Sequence, residues 1–78
     1  MYYVYVLYSE KIDRLYIGQT KDLDRRLREH FEGDSFYTKR ADDWKHFHTE
    51  EIETRSQAMK REKQLKSARG RDYLRKLL

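Results

Sequence analysis

Tyr2-Tyr3-Val4-Tyr5-Val6-Leu7-Tyr8, a polar break from Ser9 to Asp13, and then Arg14-Leu15-Tyr16-Ile17-Gly18 open the chain. The first run is aromatic and β-branched throughout, which is the composition of a strand. Alternation sets Tyr3, Tyr5 and Leu7 on one face and Tyr2, Val4, Val6 and Tyr8 on the other. Neither set is polar, so both faces of this strand are expected under cover. The second run has Leu-Tyr-Ile at its centre. The gap between the runs is short, which predicts an antiparallel hairpin.

Outward from the hairpin, Asp22 is a suitable helix start, with acid early and arginine following. Leu23, Leu27 and Phe31 repeat as a narrow apolar stripe, and Gly33 suits the stop. The stretch from Asp34 to Asp43 is of mixed polarity and reads as a loop with room for a helical turn. Trp44 to Ile52 alternates as a third strand, with Trp44, His46 and His48 against Lys45, Phe47 and Thr49. Thr54-x-x-Gln57 resembles a capping box. It opens a second helix on which Ala58, Met59, Leu65 and Ala68 share a face. Gly70 is expected to break that helix, and Tyr73, Leu74, Leu77 and Leu78 to form a short last one. The element order is therefore β-β-α-β-α-α in one α+β domain over residues 1–78, without repeats or linkers.

Seventy-eight residues allow only a small core. With no cysteine, disulfides and thiolate metal sites are excluded. No basic leader precedes the tyrosine run, and Tyr2–Tyr8 is too short to span a membrane. A soluble, cytoplasmic protein with no membrane partner is the expectation. Lys and Arg number 18 against 14 Asp and Glu, a net charge of +4. The excess lies in the last third of the chain. A basic balance suits nucleic acid, although a charge of this size also serves plain solubility.

Some polar residues fall where the pattern expects apolar ones. On a wheel at about 100° per residue with Ala58 as zero, Leu65 falls near −20°, Glu62 near 40° and Met59 near 100°. Glu62 thus lies within the apolar stripe, where a carboxylate is costly unless paired or bound to a metal ion. It is a metal ligand, or an inward Glu bonded to a nearby Arg or Tyr, or a residue at the helix edge. On the first helix, Arg26 and His30 flank the stripe one turn apart and project towards the tyrosine-bearing sheet. Arginine for phosphate and histidine near neutral pKa suit phosphodiester cleavage. The plainer alternatives are an Arg26–Asp22 pair and a His30 packed at the core edge. His46 and His48, two apart on a strand, are expected on one side as a surface or nucleic-acid-facing pair.

At these residues the sequence resembles the GIY-YIG nuclease family. Tyr3-Val4-Tyr5 is similar to the first half-motif, with Tyr3 for Gly and Val4 for Ile but the tyrosine kept. Tyr16-Ile17-Gly18 matches the second outright. Tyr5 and Tyr16 stand eleven apart, and Arg26 follows Tyr16 by ten, as in the family. His30 takes the place one turn later. Arg55 to Lys66 is similar to the helix that carries the family's metal-binding glutamate, here Glu62. The likeness covers nearly the whole chain. It is nearest to a short stand-alone bacterial branch related to the catalytic subunit of a structure-specific junction-cutting nuclease. The late Asn of some members is absent, since the chain has no Asn, and Gln19 stands where several larger relatives have Lys.

The resemblance implies a three-stranded antiparallel sheet flanked by helices, with the site on one face. It implies an endonuclease that hydrolyses DNA phosphodiesters, in DNA repair or recombination, with one Mg²⁺ or Mn²⁺ held by Glu62. Arg26 would stabilise the phosphate, Tyr5 would position or deprotonate the attacking water, and Tyr16 and His30 would assist. DNA, branched or flapped, would be gripped by Lys21 and by the basic C-terminal residues Lys60, Arg61, Lys63, Lys66, Arg69 and Arg71, which otherwise form a solvated face. A non-catalytic or partner-dependent binding module of the same fold is the alternative. Leu77 and Leu78 would suit a protein partner or a homodimer.

Overall fold

The computed structural model describes residues 1–32 and 38–78. The stop expected at Gly33 and the start of the following loop lie outside the described residues. The opening runs form strands β1 (Tyr2–Ser9) and β2 (Arg14–Thr20), joined as an antiparallel hairpin. Helix α1 (Leu23–Phe31) starts at Asp22, whose side chain accepts the Arg25 N–H. A 3₁₀ turn (Thr38–Arg40) precedes strand β3 (Lys45–Ile52), and helices α2 (Arg55–Lys66) and α3 (Ala68–Arg75) follow. Apart from the 3₁₀ turn, this is the order read from the sequence. The sheet is β2-β1-β3, antiparallel throughout, with the first strand in the middle.

A central strand with two apolar faces needs a cover on each side. Val4 and Val6 meet Ala58, Leu65 and Leu74 from α2 and α3, together with Ile17. Tyr5 and Leu7 face the other way, onto Trp44, with Leu23 and Leu27 of α1 packed against them. The two faces of β1 predicted from alternation are therefore both filled, by different helices.

Five local readings are corrected. Phe31 is 53% exposed, while His30 is 2% exposed. The inward face of α1 is Leu23, Arg26, Leu27 and His30, and its last inward place goes to a histidine whose polar atoms find partners. On α2, Met59 is 52% exposed, so the buried stripe is Ala58 and Leu65 and Glu62 stands at its border rather than in its middle. Helix α2 ends at Ser67, not Gly70. The Ser67 hydroxyl donates to the Gln64 carbonyl at 2.6 Å and accepts the Gly70 N–H at 3.2 Å, closing one helix and capping the next. Gly70 serves the tight corner instead, since a Cβ there would lie 2.3 Å from the Gln64 carbonyl oxygen. Leu77 and Leu78 lie beyond the end of α3 and are exposed.

The fifth correction concerns the histidine pair. Val6 pairs with His48 and Leu7 with His46, so the register slips by one residue at Phe47. Such a bulge turns alternation over. His46 lies on the Leu7 face and hydrogen-bonds Thr49, whereas His48 lies on the Val6 face. There its Nε2 is 2.9 Å from Glu50, and its ring meets Tyr73 edge-on. Glu50 in turn takes a two-pronged bond from Arg61, at 2.7 and 2.9 Å.

Candidate active site

Hairpin register explains why two tyrosines eleven residues apart meet. Tyr5 lies opposite Gly18, and Leu7 opposite Tyr16. Opposed residues share a face, so Tyr5 and Tyr16 are diagonal neighbours on the α1 side of the sheet. Their ring centres are 6.1 Å apart. Gly18 makes the diagonal possible: a Cβ at that position would lie 2.6 Å from the Tyr5 hydroxyl and 3.1 Å from the Tyr16 ring. The third residue of the Tyr16-Ile17-Gly18 motif is thus the floor on which Tyr5 lies. Gly18→Ala is expected to lower the unfolding free energy by about 1–3 kcal/mol in urea melts, because Tyr5 has no room to yield. Unchanged stability would mean that the ring shifts freely.

Helix α1 lays two groups over these rings. The Tyr5 hydroxyl is 2.8 Å from His30 Nε2, and the Tyr16 ring centre is 4.6 Å from that of His30. Arg26 lies against both tyrosine hydroxyls, and its guanidinium is 3.4 Å from Glu29, not on Asp22. His30 Nδ1 is 3.1 Å from the hydroxyl of Thr38, a residue 1% exposed. Thr38 also donates to the His30 carbonyl at 3.4 Å, and its own carbonyl accepts the Trp44 indole N–H at 2.8 Å. No signal in the sequence marks Thr38, which sits in a stretch of mixed polarity.

The charges follow from this packing. Burial first, and Tyr16 second, push the Tyr5 pKa well above its usual value against the pull of Arg26. Tyr5 therefore stays a protonated donor. Burial, and then the charge of Arg26, hold the His30 pKa down to about 4, with Glu29 opposing. His30 is accordingly neutral near pH 7. Burial works against the charge on Arg26, but its hydrogen bonds to Tyr16 and Tyr5 outweigh that and raise its pKa.

Glu62 comes from the opposite cover. A cavity of about 340 Å³ beside the edge strand β2 is lined by Leu15, Tyr16, Ile17, Glu62, Lys66 and Arg71. Tyr16 is the residue common to this cavity and to the Tyr5–Arg26–His30 cluster. The sequence-derived set is thus joined around the β2 edge rather than gathered on one face of the sheet. Tyr5, only 1% exposed, does not line the cavity. Of the two tyrosines, Tyr16 is the one that meets this cavity. The Glu62 carboxylate lies 3.4 Å from the Lys66 ammonium one turn on.

The expected nucleic-acid contacts are spread differently. Lys66 and Arg71 share the Glu62 cavity, which the linear sequence did not reveal. Lys60 and Lys63 are exposed on α2. Arg69 borders a second depression on the far side of the α2–α3 corner. Lys21 lies at the other end of β2, near Arg55. Arg61 is turned onto Glu50 and fastens α2 to β3.

This order of strands and helices, with two sheet tyrosines, a helical Arg and His and a late glutamate, defines a GIY-YIG nuclease domain. Residues 1–76 match the GIY-YIG catalytic domain, and the chain belongs to that family. Within it the chain sides with the small stand-alone UPF0213 proteins. It is 40% identical over 67 residues to a UPF0213 protein of Natronomonas pharaonis, covering 85% of this chain and 78% of that one. Against a UPF0213 protein of Haloquadratum walsbyi it is 39% identical over 67 residues, covering 85% and 74%. The solution NMR structure of a UPF0213 protein from Bacillus halodurans superposes with a TM-score of 0.59 at 31% identity, over 99% of this chain and 85% of that one. Family membership carries nuclease chemistry and contact with nucleic acid in general terms. Among the described residues, no helix is long and apolar enough to cross a membrane.

Proposed function

We propose that this chain is a divalent-metal-dependent endonuclease that hydrolyses DNA phosphodiesters, in DNA repair or recombination. The observation that carries the reading is Tyr16. It stands between a buried hydrogen-bonded cluster of Tyr5, Arg26 and His30 and a cavity holding a carboxylate and two cations. A phosphate bound against Lys66, Arg71 and the fork of Arg26 would place an attacking water at the Tyr16 hydroxyl. Tyr16 takes the water proton as it passes its own to Tyr5, and Tyr5 passes its proton to His30 Nε2. The hydroxide oxygen bonds to phosphorus as the bond to the 3′ oxygen breaks, and the departing 3′ oxygen takes a proton from solvent in the open cavity. Phosphate charge near Arg26 offsets the field that holds His30 neutral, so His30 accepts the proton more readily when substrate is bound.

The donor set at Glu62 suits one hydrated Mg²⁺ or Mn²⁺. Among the described residues, no three His, Cys, Asp or Glu come together, so Glu62 would be the protein's ligand, with water and phosphate oxygens completing the shell. When bound, such an ion would neutralise charge on the phosphate and the leaving oxygen. One observation favours a second reading, a binding module without catalysis: the pairing of Glu62 with Lys66 gives the carboxylate a partner within its own helix.

Cleavage of branched, flapped and single-stranded DNA in Mg²⁺ or Mn²⁺ separates the two. Wild type is expected to cut, and Glu62→Gln to lose about 10²-fold or more at equal DNA occupancy. If wild type binds DNA and never cuts, or both cut alike, the catalytic reading is lost.

A further inference from the structure

We propose that Thr38 is a positioning residue, which fixes His30 in the Nδ1–H tautomer so that its Nε2 lone pair faces the Tyr5 hydroxyl. This rests on the nuclease reading above for its consequence, but not for its geometry. The hydroxyl of Thr38 has one proton to give. Given to the His30 carbonyl, which can only accept and lies at 3.4 Å, that proton leaves the oxygen lone pairs for the ring. The atom facing those lone pairs is Nδ1, at 3.1 Å, so Nδ1 carries the ring proton. Nε2, 2.8 Å from Tyr5, is then the acceptor, and Tyr5 is the donor. Tyr5 fits that role, because its buried hydroxyl keeps its proton and Nε2 is an acceptor within reach.

Thr38 is itself held. Its carbonyl is tied to the Trp44 indole, and its side chain is sealed from water. No carboxylate touches Nδ1 among the described residues, so a hydroxyl does here what a carboxylate does in many catalytic histidine pairs. When Tyr5 passes its proton to Nε2, the ring becomes imidazolium, Nδ1–H stays on Thr38, and no other bond changes. A neutral partner at Nδ1 stabilises that cation less than a carboxylate would. His30 therefore returns the proton once the phosphate leaves.

The test is the ring tautomer, read from long-range ¹H–¹⁵N correlations of the imidazole in ¹⁵N-labelled protein. Wild type is expected to show protonated Nδ1 and bare Nε2. Thr38→Val keeps shape and removes the acceptor, and is expected to move the ring towards the Nε2–H form. In the cleavage assay it should lower kcat by about 10–100-fold with KM for DNA unchanged, and Thr38→Ser should restore both tautomer and rate. Wild type in the Nε2–H form overturns the proposal outright, whether or not Thr38→Val folds. So does a folded Thr38→Val that keeps Nδ1–H or wild-type kcat. If wild type fails to cut DNA while the tautomers behave as stated, the nuclease reading falls and the placement of His30 by Thr38 stands.

Discussion

Replacing Arg26 by alanine is expected to slow cleavage at saturating DNA about 10²–10³-fold, the usual loss when a group aimed at transition-state charge is removed. The reason lies in what Arg26 touches. It lies against both tyrosine hydroxyls and is one-third exposed, so part of its fork is left for substrate. Arg26→Lys should rescue little, because a single ammonium cannot reach two hydroxyls and a phosphate together. Lys63→Ala is the contrast. Lys63 is exposed on α2 away from the cavity, so its loss should weaken DNA binding and lower the salt slope by about one, with the saturated rate unchanged. Single-turnover rates and titrations at several salt concentrations separate the two. Equal effects of both substitutions on rate would remove Arg26 from the chemistry.

Acid should unfold this protein through His30. The ordinary value for the ring is 6.5, and in the fold it is held at about 4. Between those values the unfolded chain binds the extra proton, so stability rises with pH across the window. The contribution is complete above pH 6.5, shrinks as pH falls, and is gone below about pH 4. At about 1.4 kcal/mol per pH unit this amounts to about 3 kcal/mol, a large share of what a chain this small holds. Burial of the ring to 2% exposure leaves little solvent screening to reduce it. Asp13, Asp43 and Glu50, held low by their partners, add acid sensitivity only below about pH 4.5. Urea unfolding across the window should therefore show a steep slope in wild type and a shallow one in His30→Gln. A flat wild-type profile between pH 6.5 and 4.5 would refute the account of a buried neutral histidine.

Where the sequence was readable, the deciding interactions are close along the chain. The hairpin, the caps at Asp22 and Thr54 and the two-sided β1 all follow from residues within a few positions of one another. The misplaced features depend on distant partners. Periodicity puts Phe31 inward because it is apolar. The fold puts His30 there because Tyr5, 25 residues away, and Thr38 satisfy its nitrogens. Alternation puts His46 and His48 together, but the bulge at Phe47 is set by pairing with β1. Gly70 reads as a helix stop, yet the hydroxyl of Ser67 performs that task and Gly70 lets two backbones touch. Of the five residues brought forward by family resemblance, Tyr5, Tyr16, Arg26 and His30 cluster on one face, and Glu62 shares a cavity with Tyr16. Their division into a buried cluster and an open cavity, with Tyr16 between, needed the third dimension.

The covering of Val4 and Val6 by Leu74, and the tie from Arg75 to Asp13 across 62 residues, bear on how the chain is made. The central strand is synthesised before its cover on the α2–α3 side. A nascent chain stopped before Leu74 exposes an apolar sheet face, which favours aggregation and proteolysis. Long-range closure of this kind also slows folding relative to a helical bundle of equal length. Closure of this core therefore waits on α3, and products truncated before Leu74 are left without it.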